Sequence, residues 1–414
     1  MLDIQYIRDN ADKVAQKAAE KGYQIDINQL LGFDGERRDL LSQVEEMRRQ
    51  RNQLNAASKG EKPSDDVLEK GRQLRDQLGD LEHKLEAIDK QYSSLLAQVP
   101  NVHFDDVPVG GEESSQEISK NGEQTTGASD HLDFMTSKGW VDFDRGAKVA
   151  GAKFYFVKGD LALLENAITQ YALNFLVQKG FILMSVPNMV NSRIATGTGF
   201  APRSSEQSDE YFIDGEDLSL IATAEMPLTG YHADEILNES DLPLMYVGLS
   251  PCYRKEAGSY GKHGRGLFRV HQFNKLEMYV YSLPEQSAEM HQKLLAIEEE
   301  LWQSLKVPYR VLNIAAGDLG APAAKKYDIE YWSKADGNYR ELTSCSNCTD
   351  YQARNLNIRV RRSDGQIDFV HTLNGTAVAL ARSLIAVSEH YQTSDGNLMI
   401  PEVLAPYMGN KTQI

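Results

Sequence analysis

Two apolar repeats in the first hundred residues constrain this chain more than any other feature. Phe33, Leu40, Met47 and Leu54 recur every seven residues, and Leu74, Leu78, Leu81, Leu85, Ile88, Tyr92 and Leu95 recur in alternating steps of four and three. That spacing puts each set on one stripe of an α-helix. Gly60 and Pro63 break the pattern between them and Ser64 offers an N-cap, so the stripes predict an antiparallel helical hairpin over about residues 30–98. A rise of 1.5 Å per residue makes each limb about 45 Å long. The outward faces are almost wholly polar, which favours a projecting arm over a limb of a larger bundle.

Charge narrows what the arm can do. The chain carries −16 overall, whereas residues 30–98 hold twelve Lys or Arg against fourteen Asp or Glu. A strongly acidic surface excludes general nucleic-acid binding, because phosphate affinity comes from clustered cations, so any such contact must be local. Arg48, Arg49, Arg51, Lys59 and Lys62 gather toward the tip of the hairpin.

At 414 residues, 41% hydrophobic and 25% charged, the chain has room for two or three globular domains. No run approaches eighteen apolar residues, the opening MLDIQYIRDNADK lacks the apolar core of a signal peptide, and three cysteines make no disulfide framework. These features predict a cytoplasmic chain with no membrane attachment. The expected organisation is an N-terminal domain over residues 1–103, a polar Gly- and Ser-rich connection over 104–131, and a larger domain over 132–414. In the latter an amphipathic helix runs to Gly180, strands dominate to about Tyr281, and helix then alternates irregularly with strand. That order predicts an α+β domain on an antiparallel sheet with flanking helices, not repeated βαβ units.

Four stretches carry chemistry. In CYRKEAGSYGKHGRGLFRVHQFNKLEMY, residues 252–279, alternation from Phe268 to Glu277 predicts a strand, and Gly258, Gly261, Gly264 and Gly266 suit a long connecting loop rather than a tight turn. Arg254 and Glu256 then share one charged face. In YRELTSCSNCTDYQAR, residues 339–354, the oxygens of Glu341 and Ser344 suit Mg²⁺. Regular pleating would separate those two, so they can meet only at an edge, a bulge or a strand end. Cys345 and Cys348 lack the further ligands of a zinc site and read as buried small hydrophobes. In TLNGTAVALARSLIAVSEHYQ, Arg382 is the one cation amid an apolar helix, either paired with a buried acid or aimed at an anion. In LSLIATAEMPLTGYH, Thr223 and Glu225 share a face if extended, while Thr-Ala-Glu also reads as a helix start with Glu in its first turn.

Taken together, KGFILMSVPNMV with Pro187, the strand and glycine loop beginning YRKE, and the NGT-led segment bearing Arg382 resemble motifs one, two and three of class II aminoacyl-tRNA synthetases. With TAE, FRVHQFNKLE, ELTSCSNCTDYQAR and the N-terminal hairpin, the whole chain is similar to the bacterial-type seryl-tRNA synthetase family. Phe200 in GTGFAP and the segment VSEHYQ depart from the usual pattern. The resemblance implies ATP and Mg²⁺ as cofactors, and L-serine and tRNA(Ser), with tRNA(Sec) where present, as partners of a homodimer. It implies that Arg254 bridges the serine carboxylate and the α-phosphate, that Arg382 holds the γ-phosphate, and that Glu341 and Ser344 bind Mg²⁺. Lys255, Glu256, Val270, Phe273, Leu342 and Thr343 complete the implied nucleotide site. Thr223, Ala224, Glu225, Glu277 and Thr376 complete the implied serine site, and the basic tip of the arm the implied tRNA site. Two rivals are a ligase acting on a carrier protein, which would typically lack the arm, and a non-catalytic RNA-binding relative, which should have lost Arg254, Glu341 or Arg382.

Overall fold

A computed structural model describes residues 1–57, 64–199, 209–256 and 265–414, which divide into two compact units, Met1–Pro100 and Asn101–Ile414. The first unit is built on helices α1 (Ile27–Ala57) and α2 (Asp65–Gln98), packed along each other. Val44 and Leu78 are buried in their seam, whereas Phe33, Leu40, Met47, Leu54, Leu81 and Leu85 are only half-buried. That is the exposure expected of a pair with one shared face. Arg37 pairs with Asp89 and Arg48 with Glu82, confirming that the limbs run antiparallel. At the base two short helices, Ile4–Asp9 and Ala11–Glu20, bury Ile7 and Val14, and Arg8 grips Asp34 of α1 at 2.7 Å.

The second unit is built on eight strands: β1 (Gln116–Asn121), β2 (Ile182–Ser185), β3 (Leu244–Tyr253), β4 (Gln272–Ser282), β5 (Tyr309–Asn313), β6 (Lys325–Ser333), β7 (Asn338–Asn347) and β8 (His371–Ala379). They lie in the order β1-β5-β6-β7-β8-β4-β3-β2, antiparallel throughout except for the parallel pair β2 and β3. Helices α3 (Asp160–Gln178), α4 (Ser287–Ser304) and α5 (Leu380–Tyr391) share one core with Leu276, Met278, Ile329 and Leu373 of the sheet. This is the α+β architecture that the sequence predicts. Among the described residues no helix is long and apolar enough to cross a membrane.

Three local expectations need correction. The polar stretch over 104–131 is not irregular throughout: it supplies β1, paired along β5. All six residues of β1 are exposed, so backbone hydrogen bonds hold the strand and no apolar alternation announces it. The strand expected from Phe268 begins at Gln272, because Gly266–Phe268 form a 3₁₀ turn in which Gly266 has φ of +64°. A side chain at Gly266 would also press into His131 Nε2. The apolar helix bearing Arg382 does not follow directly on the NGT that leads its segment: Asn374, Gly375 and Thr376 lie inside β8, and the helix begins at Leu380.

Candidate active site

Strand pairing sorts the sheet into an apolar face and a polar one. Directly paired residues point to the same side, so the pairs Cys252 with Phe273, Ser250 with Lys275, Gly248 with Glu277 and Thr376 with Glu277 place Phe273, Lys275, Glu277 and Thr376 on one face. Ser346 and Asn374, paired across β7 and β8, continue it. The opposite face is closed by α4, whose buried Glu298 accepts a hydrogen bond from Thr343 Oγ1 at 2.9 Å.

Glu341 and Ser344 reach the polar face through a β-bulge. Thr343 pairs with Ile329 and Glu341 with Glu330, which leaves Leu342 as one extra residue on β7. Ser344 pairs with Asp328 and Glu341 with Glu330, two residues apart on β6, so both side chains emerge on the same side. Burial alone would raise the Glu341 carboxyl, yet the cations Arg382, Lys326 and Arg254 overcome it and hold the group well below the usual carboxylate range. An ionised carboxylate beside a hydroxyl is a donor set that suits a hard divalent cation completed by water and phosphate oxygens.

A cavity of about 600 Å³, counting its open mouth, gathers many of the sequence-predicted residues. Arg254, Glu256, Val270 and Phe273 line it together with Glu341, Leu342, Thr343, Ser344, Thr376 and Arg382. Arg254 Nε donates to the Ala222 carbonyl at 3.3 Å, and its guanidinium lies 5.3 Å from the Phe273 ring centre. Arg382, at the third position of α5, has Nη1 3.0 Å from Glu341 Oε2 and stands 4.7 Å from the ring centre of Phe268. Of the two readings of Arg382, the pairing with an acid is present, and the guanidinium also borders the cavity. Glu256 occupies left-handed backbone at φ of +51° and pairs with Arg269 at 2.8 Å.

The remaining predicted residues stand off the cavity. Glu277 is buried behind its wall, where it pairs with Lys275 and accepts from Thr376 Oγ1 at 3.3 Å. Thr223, Ala224 and Glu225 are buried at the start of the short helix Glu225–Gly230, so the helix-start reading of Thr-Ala-Glu describes the local fold, with Thr223 Oγ1 accepting from the Glu225 amide. Glu225 Oε1 accepts from Gln352 at 2.7 Å and from Asn374 at 2.9 Å. Burial, followed by repulsion from Glu277, pushes the Glu225 carboxyl up to about 7. Lys255 turns outward, its ammonium over the rings of Tyr211 and Phe212. Thr343 lines the cavity, but its hydroxyl is committed to Glu298 on the far face.

In the arm, Arg48 pairs with Glu82 and Arg49 with Glu46, both exposed, while Lys59 and Lys62 lie outside the described residues, as does Phe200. Cys345 and Cys348 are buried, and Cys348 Sγ accepts from Asn374 at 3.6 Å.

Sequence reasoning gave no role to several supports. Lys275 shares the period-two face of Phe273 and Glu277, a signal present in the alternation itself. Phe268 beneath Arg382, Gln352 against Glu225, and the pair Lys326 and Asp328 beside Glu341 are products of tertiary packing.

Residues 1–103 match the seryl-tRNA synthetase N-terminal domain, and residues 210–391 match the class II core domain of tRNA synthetases for Gly, His, Pro, Ser and Thr. The serine–tRNA ligase of Dictyoglomus turgidum is 43% identical over 99% of this chain and 98% of its own length. That of Rubrobacter xylanophilus is 41% identical over the same shares. Among solved structures, seryl-tRNA synthetase from Pyrococcus horikoshii complexed with ATP superposes with a TM-score of 0.90 at 40% identity, covering 100% of this chain and 99% of the other. The cytoplasmic enzyme of Naegleria fowleri in complex with AMP gives 0.86 at 31% identity, covering 100% and 98%. With both domains matched and relatives aligned from end to end, the chain belongs to the seryl-tRNA synthetase family of class II aminoacyl-tRNA synthetases.

Proposed function

We propose that this protein activates L-serine with ATP, releasing pyrophosphate, and passes the seryl group from the adenylate to the 3′-hydroxyl of the terminal adenosine of tRNA(Ser). The observation that carries the reading is the convergence of Arg254, Glu341 and Arg382 on one cavity. The serine carboxylate attacks the α-phosphorus in line, so the chemistry requires positioning and neutralised charge more than a nucleophilic side chain. In this reading Arg254 holds the serine carboxylate against the α-phosphate and Arg382 the γ-phosphate. Glu256 meets the adenine amino group, Phe273 stacks on the ring, and Val270, Leu342 and Thr343 offer main chain. Glu341 and Ser344 would hold Mg²⁺, which when bound supplies charge neutralisation at the phosphates. Thr223, Ala224 and Glu225 receive the serine ammonium, and Glu277 with Thr376 receives its hydroxyl.

The arm takes tRNA(Ser), and tRNA(Sec) where present, through phosphates near Arg48, Arg49, Arg51, Lys59 and Lys62. Exposed ion pairs of the kind Arg48 and Arg49 make contribute little, so both guanidiniums can exchange a carboxylate for a phosphate. Homodimerisation is supported by an apolar edge: β2 ends the sheet, and Ile182, Leu183, Val177 and Met189 are exposed there. A cytoplasmic location fits three buried cysteines with no disulfide among the described residues. The deciding experiment is ATP–pyrophosphate exchange with each amino acid in turn. Exchange dependent on serine supports the proposal; exchange with another amino acid only, or none, overturns it.

A further inference from the structure

A primary amide offers two donors and two acceptor sites. Gln352, on the short helix Tyr351–Leu356, is wholly buried and uses all four. Its Nε2 donates to Glu225 Oε1 at 2.7 Å and to the Thr198 carbonyl at 3.0 Å. Its Oε1 accepts from Thr372 Oγ1 at 2.7 Å and from Tyr279 Oη at 3.0 Å. The orientation has no alternative, because a flipped amide would face its oxygen to a carboxylate and a carbonyl and its NH₂ to two hydroxyls.

These bonds join four separate parts of the fold: the loop after the helix Ser192–Gly197, the start of Glu225–Gly230, and strands β4 and β8. The approach is close, since a side chain at Gly197 would collide with Leu356 and one at Gly199 would press on Tyr351. Asn355 Nδ2 adds a bond to the Gly197 carbonyl at 2.7 Å. With Asn374 also donating to Oε1, one oxygen of Glu225 is anchored twice, while among the described residues Oε2 has no hydrogen-bond partner.

We propose that Gln352 is a positioning residue for amino-acid recognition: it anchors Glu225 Oε1 so that Oε2 is presented to the substrate ammonium, and it ties that carboxylate to the loop at Thr198. This rests on the proposed reading of the site. The other charged groups facing Glu225 are Glu277 and Lys275 of β4 and Arg254 beyond β3. Removing the Gln352 donor leaves burial and Glu277 less opposed, and the serine site then requires a higher pH to bind a cation.

The test is pyrophosphate exchange over pH 5.5–8.5 with wild type, Gln352→Met, which keeps the shape and removes both donors, and Thr372→Val, which removes one support of the amide. Gln352→Met should raise the serine KM at least tenfold at pH 7 with the ATP KM within twofold, and should move the midpoint of serine kcat/KM upward. Thr372→Val should shift both in the same direction by less. Unchanged serine KM and midpoint in Gln352→Met, or equal rises in the serine and ATP KM without a moved midpoint, would overturn the role. If Gln352→Met does not fold, Thr372→Val decides by the same two readouts. Failure of the underlying reading looks different: the wild-type protein itself would lack serine-dependent exchange.

Discussion

The guanidinium of Arg254 lies over the ring of Phe273, 5.3 Å from its centre, with Nε tied to the Ala222 carbonyl. One face of the aromatic ring is thus covered, and the arginine is aimed by the carbonyl just before Thr223. A donor acting on transition-state charge contributes on the order of 3 kcal/mol. Arg254→Ala should therefore slow pyrophosphate exchange by more than about a hundredfold. Near-normal exchange in that variant would remove Arg254 from the reaction.

Glu225 predicts a pH dependence. Its carboxyl sits at about 7 through burial and the adjacent Glu277, and an ammonium binds its ionised form. Below that value the carboxyl holds its proton and must lose it on binding. Serine kcat/KM should fall by about tenfold per pH unit on the acid side and level off above pH 7. A profile flat from pH 5.5 to 8 would mean that Glu225 does not meet the ammonium.

Glu277 and Thr376 should discriminate serine from alanine. Their side chains are bonded to each other and Glu277 is clamped by Lys275, so the pair is held in place rather than flexible. A pocket built to hydrogen-bond a hydroxyl can reject its absence by about 10⁴-fold, because its own groups are left unpaired. Values of kcat/KM for the two amino acids within tenfold of one another would contradict the assignment.

The arm should be separable from the chemistry. Its seam is formed by α1 packing on α2, and the proposed ATP and serine residues all lie in the second unit. Replacing residues 30–98 with a short Gly/Ser linker should leave exchange intact and abolish tRNA charging. Reversing the charge of Arg48, Arg49 and Arg51 should weaken tRNA binding and flatten its log–log salt dependence by about 0.7 to 0.9 for each phosphate that is no longer neutralised. An equal fall in both half-reactions would make the arm structural.

A stability prediction follows from Gly375. A Cβ there would lie 2.7 Å from Glu298 Oε1 and 3.1 Å from Met278 Cε, both buried. Gly375→Ala should destabilise the second unit by about 1–3 kcal/mol, visible as a lowered Tm; an unchanged Tm would show that Glu298 moves aside freely.

The heptad seam, the sheet class and the principal helices were legible because they rest on local periodicity. Boundaries set by tertiary contact were not: β1 has no buried face, and the start of β4 is displaced by a glycine turn against His131. The same division runs through the candidate site. Arg254, Glu341 and Arg382 stand out as charges in apolar or strand-like surroundings. Gln352 and Asn374 are ordinary polar residues whose significance appears only when Glu225, more than a hundred positions earlier, folds against them.

The extra residue at Leu342 acts on β7 as a half-period phase slip. A pleated strand is a two-stroke wave, and every pair of side chains an odd number of steps apart is normally out of phase. Inserting one position inverts the parity of all residues on one side of the slip relative to the other. Asn338–Glu341 and Thr343–Asn347 therefore obey opposite rules for which face they serve. A carboxylate and a hydroxyl three positions apart come to act together through a change in counting rather than in chemistry, and substituting Leu342 leaves that count intact where deleting it does not.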